Sequence, residues 1–245
     1  MNNIEIERRS SMNENQLSKR LETAASYVQL GARLADIGSD HAYLPCHLAQ
    51  KEQIEFAIAG EVVIGPFTSA KKQIEASGLT GKVEARLGDG LAVINRNDHI
   101  NTITICGMGG DLIARILDAG KDEDQLEGVQ RLILQPNNAE WKLRKWLIAN
   151  EYKIITEEII EENEKIYEII VAEPTNEEIS YTEDDYLFGK FLRQQKGETF
   201  KAKWQNEIEK NQYILRQLQD SQRDVSQKRI AVENLIKKMK EEIEA

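Results

Sequence analysis

Arg33-Leu34-Ala35-Asp36-Ile37-Gly38-Ser39-Asp40-His41-Ala42-Tyr43-Leu44-Pro45 decides how the chain is read. A short apolar run passes a glycine and then sets two acids, a serine, a histidine and a tyrosine within a few residues. A strand that enters a glycine-bearing turn and then a helix offers a ligand free backbone amides at the carboxyl edge of a sheet. Working outward, Leu17–Val28 has helical spacing and packs beside this loop, and Arg33–Ile37 is the first strand.

The same alternation repeats downstream. Strands are predicted at 56–63, 82–87, 101–106 and 130–135, with helices at 43–51, 66–77, from Gly110 to about 118, and from about 139 to 149. Five such alternations demand a parallel sheet with right-handed crossovers. The rhythm then changes. Tyr152–Ile160 and Ile166–Glu173 read as a hairpin around the charged turn Glu161–Lys165. Residues 175–185 are a polar link, followed by a short helix to about Gln195, a break at Lys196-Gly197 and a long helical stretch. In that stretch Ile208, Leu215, Ile236 and Ile243 fall on one heptad seam, and Trp204, Leu218, Val225, Val232 and Met239 on the other. Asp220-Ser221 and Asp224-Val225-Ser226 supply a turn and a new cap, so two antiparallel helices are expected. Their few large apolar residues should lean on the sheet or on a partner.

The 245 residues suffice for one ordinary domain and an appendage. Cys46 and Cys106 stand far apart, which argues against a disulfide framework or a zinc site. No metal is expected. The first residues lack the apolar core of a signal peptide, and no run approaches a membrane span, so a cytoplasmic protein without membrane contact is expected. The net charge of -10 comes mostly from residues 151–180, whose ten Glu and two Lys leave room for a basic face elsewhere.

Four loops leave the carboxyl ends of neighbouring strands: Gly38–Tyr43, Glu61–Gly65, Asp89–Leu91 and Gly107–Gly110. Glu61 follows Gly38 at about the distance expected of an acid that accepts from ribose hydroxyls. Asp89 is placed to accept from an adenine amino group, with Leu91 against the ring. Each acid alone also reads as an ordinary turn residue, but acids end three successive strands. Gly38 lacks the further glycines of a dinucleotide fingerprint, and Asp36 and Asp40 would repel a pyrophosphate. The charge pattern predicts a cationic or zwitterionic ligand.

Five parallel strands closed by an antiparallel hairpin resemble the seven-stranded, Rossmann-like class I methyltransferase sheet, here followed by a C-terminal α-helical, coiled-coil-like unit. The resemblance becomes specific in Asp36-Ile-Gly-Ser-Asp-His-Ala-Tyr-Leu-Pro45, Gly60-Glu-Val-Val-Ile-Gly-Pro66, Gly88-Asp-Gly-Leu91, Gly107-Met-Gly-Gly110 and Gln135-Pro-Asn-Asn138. Together these are similar to the bacterial tRNA adenine-N1 methyltransferase family acting at position 22 (TrmK), over residues 17–245. The resemblance implies S-adenosyl-L-methionine as cofactor and tRNA as partner. It places Asp36, Gly38, Ser39, Asp40 and His41 around the methionine end, Glu61 and Val62 at the ribose, and Asp89, Gly90 and Leu91 at the adenine. Cys106, Gly107 and Met108 would close the pocket.

Asp40, His41, Tyr43, Asn137 and Asn138 are the candidates for orienting a target base, to which no strong base need be supplied. Four of these residues have plainer readings: His41 as a helix cap, Tyr43 as packing on the second strand, and Asn137-Asn138 as a turn after Pro136. His47 and His99 read as structural or solvent-facing. Arg8, Arg9, Lys19, Arg20 and the C-terminal cations are candidates for tracking phosphates, or form a solvated face.

The expected division is 1–16 disordered or extraneous, 17–175 cofactor-binding and catalytic, and 176–245 tRNA-docking. A monomer is expected, with a homodimer as the alternative. The rival functions are a methyltransferase for another RNA or a small molecule, and a non-catalytic coiled-coil assembly protein.

Overall fold

The computed structural model describes residues 17–219 and 225–244. Strand and helix alternate as β1 (Ala32–Ile37), α2 (Tyr43–Gln50), β2 (Ile54–Glu61), α3 (Ile64–Ala76), β3 (Val83–Leu87), β4 (Thr102–Met108), α4 (Gly110–Asp122), β5 (Arg131–Pro136) and α5 (Glu140–Ala149), all preceded by α1 (Lys19–Ser26). Then come β6 (Tyr152–Glu162) and β7 (Lys165–Pro174). The sheet order is β3-β2-β1-β4-β5-β7-β6. β1 to β5 pair in parallel, and β7 pairs antiparallel with both β5 and β6.

Alternation along each central strand divides the core between two faces. Leu34, Ala57 and Ala59 pack under the N-terminal helices with Leu44, Leu48, Ala70 and Ile74. Ala35, Ile37, Ile58, Ile103 and Ile105 pack on the other face against Ile113, Leu117, Leu143 and Leu147 of α4 and α5. With both faces covered, ligand access is confined to the strand ends.

Two boundaries depart from expectation. The strand expected at 56–63 ends at Glu61, and Val62, Val63 and Ile64 are exposed. The hairpin turn is only Asn163-Glu164, because both residues take left-handed φ (+50° and +61°), the geometry of a two-residue type I′ turn. The ladder therefore runs to Glu162 opposite Lys165.

The C-terminal unit comprises α6 (Glu183–Phe188), α7 (Leu192–Gln195), α8 (Glu198–Gln219) and α9 (Ser226–Glu244). Phe188, Leu192, Phe200, Trp204, Ile208, Ile236 and Met239 form its core, with Ile159 of β6 packed against them. Residues near the start of α8 thus meet residues near the end of α9, so the two helices are antiparallel. The expected connecting turn at Asp220-Ser221 and the cap at Asp224, like Arg8, Arg9 and the rest of residues 1–16, lie outside the described residues.

The unit does lean on the sheet, and through charge as well as apolar contact. Arg144 of α5 is fully buried, donating to Glu157 Oε1 (2.6 Å), Glu168 Oε2 (2.5 Å) and the Tyr186 carbonyl (3.1 Å). Lys203 of α8 donates to both Glu168 Oε1 and Glu140 Oε1 at 2.6 Å. Burial alone would raise the Glu168 pKa, but Lys203 and Arg144 hold it below the ordinary carboxylate range.

Candidate active site

The loops that follow β1 to β5 meet along one edge of the sheet. Gly38 turns the chain after β1 with φ +70°, and a Cβ there would come 2.2 Å from Met108 Cε. The next turn is strained: Asp40, His41 and Ala42 are all left-handed (φ +41°, +67° and +58°). Such residues cost roughly 1–2 kcal/mol each, so the surroundings must hold them. Gly38 and Ser39 N–H donate to the Gly60 carbonyl, and Asp40 N–H donates to Glu61 Oε1 at 2.6 Å. Ala42 holds the N-cap position just before α2, with no side-chain cap hydrogen bond. His41 is therefore not the helix cap; its ring stacks on Tyr43 with centroids 5.3 Å apart. Tyr43 also packs against the core.

Asp36 is buried at the end of β1. It accepts from Ser39 Oγ (2.5 Å) and Thr104 Oγ1 (2.6 Å). Burial raises its pKa, against the opposing effect of those two bonds and of Arg20. Glu61 is raised as well, first by burial and then by the nearby acids Asp40 and Asp36. The Cys106 thiol is pushed up to about 12 by burial and by Asp36. A cationic ligand would relieve this accumulation of acids.

A pocket of about 290 Å³ collects Asp36, Gly38, Ser39, Asp40, Cys106, Gly107, Met108 and Asn137. It also brings in Arg20, Leu21 and Tyr167. Arg20 Nη1 donates to Gln135 Oε1 (2.7 Å), which also accepts from Gly107 N–H (2.9 Å), and the guanidinium lies 5.6 Å from the Tyr167 ring centroid. Arg20 thus faces the pocket instead of forming part of a phosphate-tracking surface. Lys19 is likewise engaged, donating through Nζ to the Glu161 carbonyl. Gln135 and Thr104 had a visible signal, as polar residues in otherwise apolar strands. Arg20 had none.

The remaining candidates divide by what they touch. Asn137 donates through Nδ2 to the Gly107 carbonyl (2.7 Å) and accepts from Gln135 Nε2 (3.1 Å), so it braces the loops after β4 and β5. Asn138 is exposed and has no side-chain hydrogen bond among the described residues. Its carbonyl accepts from Gly110 N–H, where a Cβ would come 2.5 Å from the Ala139 carbonyl. Asp89 is exposed beside Gly90 after β3, and Val62 is exposed after Glu61.

Leu91 departs from expectation. It is 2% exposed, and its side chain packs against Gly120 of α4, so the chain turns it into the core and not toward a ring at the edge. His47 is buried in α2, and His99 is exposed before β4, at the opposite end of the sheet from the pocket. Among the described residues no acid, His or Cys cluster could hold a metal ion, and no helix is long and apolar enough to cross a membrane.

An acidic pocket wall, one arginine, and the buried Glu61 and exposed Asp89 at the next two strand ends fit an extended ligand with a zwitterionic end and a nucleoside end. Comparison with known proteins agrees with that chemistry. Residues 34–241 match the TrmK family, tRNA (adenine(22)-N(1))-methyltransferase. The tRNA (adenine(22)-N(1))-methyltransferase of Bacillus subtilis is 48% identical over 211 residues, 84% of this chain and 87% of that protein. Sp1610 of Streptococcus pneumoniae, solved in complex with S-adenosyl-L-methionine, is 45% identical with a TM-score of 0.85, covering 93% of this chain and 100% of that one. The crystal structure of B. subtilis TrmK itself superposes with a TM-score of 0.83 at 43% identity, covering 93% and 99%. On the match across most of its length, this chain belongs to the TrmK family of tRNA (adenine(22)-N(1))-methyltransferases.

Proposed function

We propose that the protein is an S-adenosyl-L-methionine-dependent methyltransferase acting on N1 of the adenosine at position 22 of tRNA. The observation that carries this reading is the acid-rich pocket where the loops after β1 and β4 meet, within the family's fold. When bound, the cofactor supplies a methyl group on a positively charged sulfur.

Asp36 and Arg20 would hold the amino and carboxylate ends of the methionine moiety, with Gly38 and Ser39 as the turn beneath it. Glu61 would take a ribose hydroxyl with the oxygen not engaged by Asp40, beside Val62. Asp89 and Gly90 would hold the adenine, and Leu91 would contribute only through its backbone. Cys106, Gly107 and Met108 would form the opposite wall.

N1 of neutral adenine carries a lone pair and no proton, so the chain's task is to position it and stabilise the positive charge that develops. Asp40 supplies a carboxylate for that charge, with His41 and Tyr43 as a stacked pair beside it. Asn138 offers a free amide to the base edge, and Asn137 keeps the loop in place. The base must leave its stack at a cost of a few kcal/mol.

In this reading residues 17–175 carry the cofactor and the reaction, and 176–245 form the tRNA-docking unit. The protein works as a cytoplasmic monomer. Methyl incorporation into purified tRNA, mapped by nuclease digestion and mass spectrometry, tests it. N1-methyladenosine at position 22 is the expected product, and methylation only elsewhere would overturn the reading.

A further inference from the structure

A cleft of about 700 Å³ opens between the start of α5, the β6–β7 turn and α8. It lies within the size range of ligand sites, ~300–1,000 Å³. It shares Asn137 and Tyr167 with the smaller acidic pocket, so a chain lying in it would be continuous with whatever enters there. Trp141 stands on its wall, 42% exposed, in the first turn of α5 just after Asn138. A large aromatic face left open to solvent beside a reaction site differs from the core tryptophan Trp204, whose buried indole N–H has no acceptor among the described residues.

The polar lining suits a nucleotide. Asn138 and Asn206 bring free amides to the cleft, whereas Asn211 already donates through Nδ2 to the Glu207 carbonyl (2.8 Å). Its acids are largely answered: Glu140 by Lys203 (2.6 Å) and Glu207 by Lys210 (2.7 Å), leaving Glu164 at the hairpin turn. Lys165, from the same turn, lines the cleft without an ion-pair partner among the described residues. Lys142 and Lys145 stand 5.8 and 5.6 Å from the Trp141 ring centroid, but Asp111 and Glu183 already pair them. The features left for a ligand are therefore one exposed indole, free amides and one unpaired ammonium.

Resting on the function proposed above, we infer that this cleft seats the unstacked nucleotide adjoining the target adenosine, with Trp141 as its stacking platform and Lys165 at a phosphate. Base–aromatic stacking is sequence-tolerant and strong enough for one such contact to shift affinity by about tenfold.

The test compares Trp141→Ala, Trp141→Phe and Lys165→Ala with the wild-type protein on tRNA. Trp141→Ala should raise the KM for tRNA about tenfold, leave the cofactor Kd and Tm unchanged, and leave the salt slope of tRNA binding unchanged. Trp141→Phe should restore most of the affinity. Lys165→Ala should weaken binding and lower the salt slope by about one. If Trp141→Ala folds poorly, Trp141→Phe and Lys165→Ala decide: normal affinity in the first with a flattened slope in the second supports the cleft. Unaltered KM in a folded Trp141→Ala protein, or an unaltered slope in Lys165→Ala, overturns it. Failure of the wild-type protein to methylate tRNA would instead overturn the preceding functional reading.

Discussion

The ammonium of Lys203 lies 2.6 Å from the carboxylate of Glu140, so the C-terminal helices hold the residue that immediately follows the Asn137–Ala139 loop. The same ammonium contacts Glu168, whose other oxygen is held by the buried Arg144. The helical unit is thus joined to the loop that braces the pocket, through groups that would be costly to leave unpaired.

Lys203→Met should lower turnover by about tenfold while cofactor affinity stays near normal, because a small displacement of the Asn137–Asn138 loop misplaces the target. Lys203→Arg should recover part of it. Steady-state kinetics beside cofactor titration would check this; an equal loss in cofactor affinity would contradict it. Arg144→Met leaves Glu157 buried without its cation and Glu168 with Lys203 alone, and should cost about 3–5 kcal/mol in urea unfolding.

A chain ending at residue 181 should lose its cooperative melt. It removes Lys203 from Glu168, the Tyr186 carbonyl from Arg144 and the Phe191 N–H from Glu157 (2.9 Å), and it uncovers Ile159. Circular dichroism on heating reads this directly. A folded fragment with normal cofactor affinity would show that the junction is dispensable. Weak tRNA binding by such a fragment would therefore report lost folding as much as lost docking.

Asp36 and Glu61 set a pH dependence whose sign differs between stability and binding. Burial raises both carboxyl pKa values, so these groups favour the fold below their unfolded pKa values, and that contribution is lost as pH rises through the raised folded values. In the proposed binding mode the cofactor takes the ionised forms. Calorimetric titration should show cofactor affinity falling on acidification at a higher pH than an ordinary carboxylate would give. Asp36→Asn should keep or raise Tm while weakening the cofactor Kd by roughly 10-fold or more. A lower Tm with normal affinity would contradict the assignment.

The His41–Tyr43 stack stands beside the pocket without lining it. Tyr43→Ala should therefore reduce turnover on tRNA by about tenfold and change the cofactor Kd less than twofold, whereas Tyr43→Phe keeps the stack and most of the activity. Rapid-quench turnover and equilibrium binding separate the two quantities. A matching loss of cofactor affinity would move Tyr43 to the cofactor side.

Sequence alone determined the order of strands and helices, the parallel-then-hairpin sheet, and the acids at the ends of β1, β2 and β3. Those features are written in local periodicity and turn chemistry, which record burial and backbone geometry within a few residues. It also carried the motifs by which Asp36–Pro45 and Gly60–Pro66 resemble a family. Tertiary structure decided what no local pattern holds. It brought Arg20 across 115 residues to Gln135, turned Leu91 into the core, engaged Asn137 while leaving Asn138 free, and buried Arg144 between Glu157 and Glu168. The physical reason is that each of these depends on which distant groups meet once the sheet has closed. A cation outside every motif reads as a solvated surface until the fold supplies its partner.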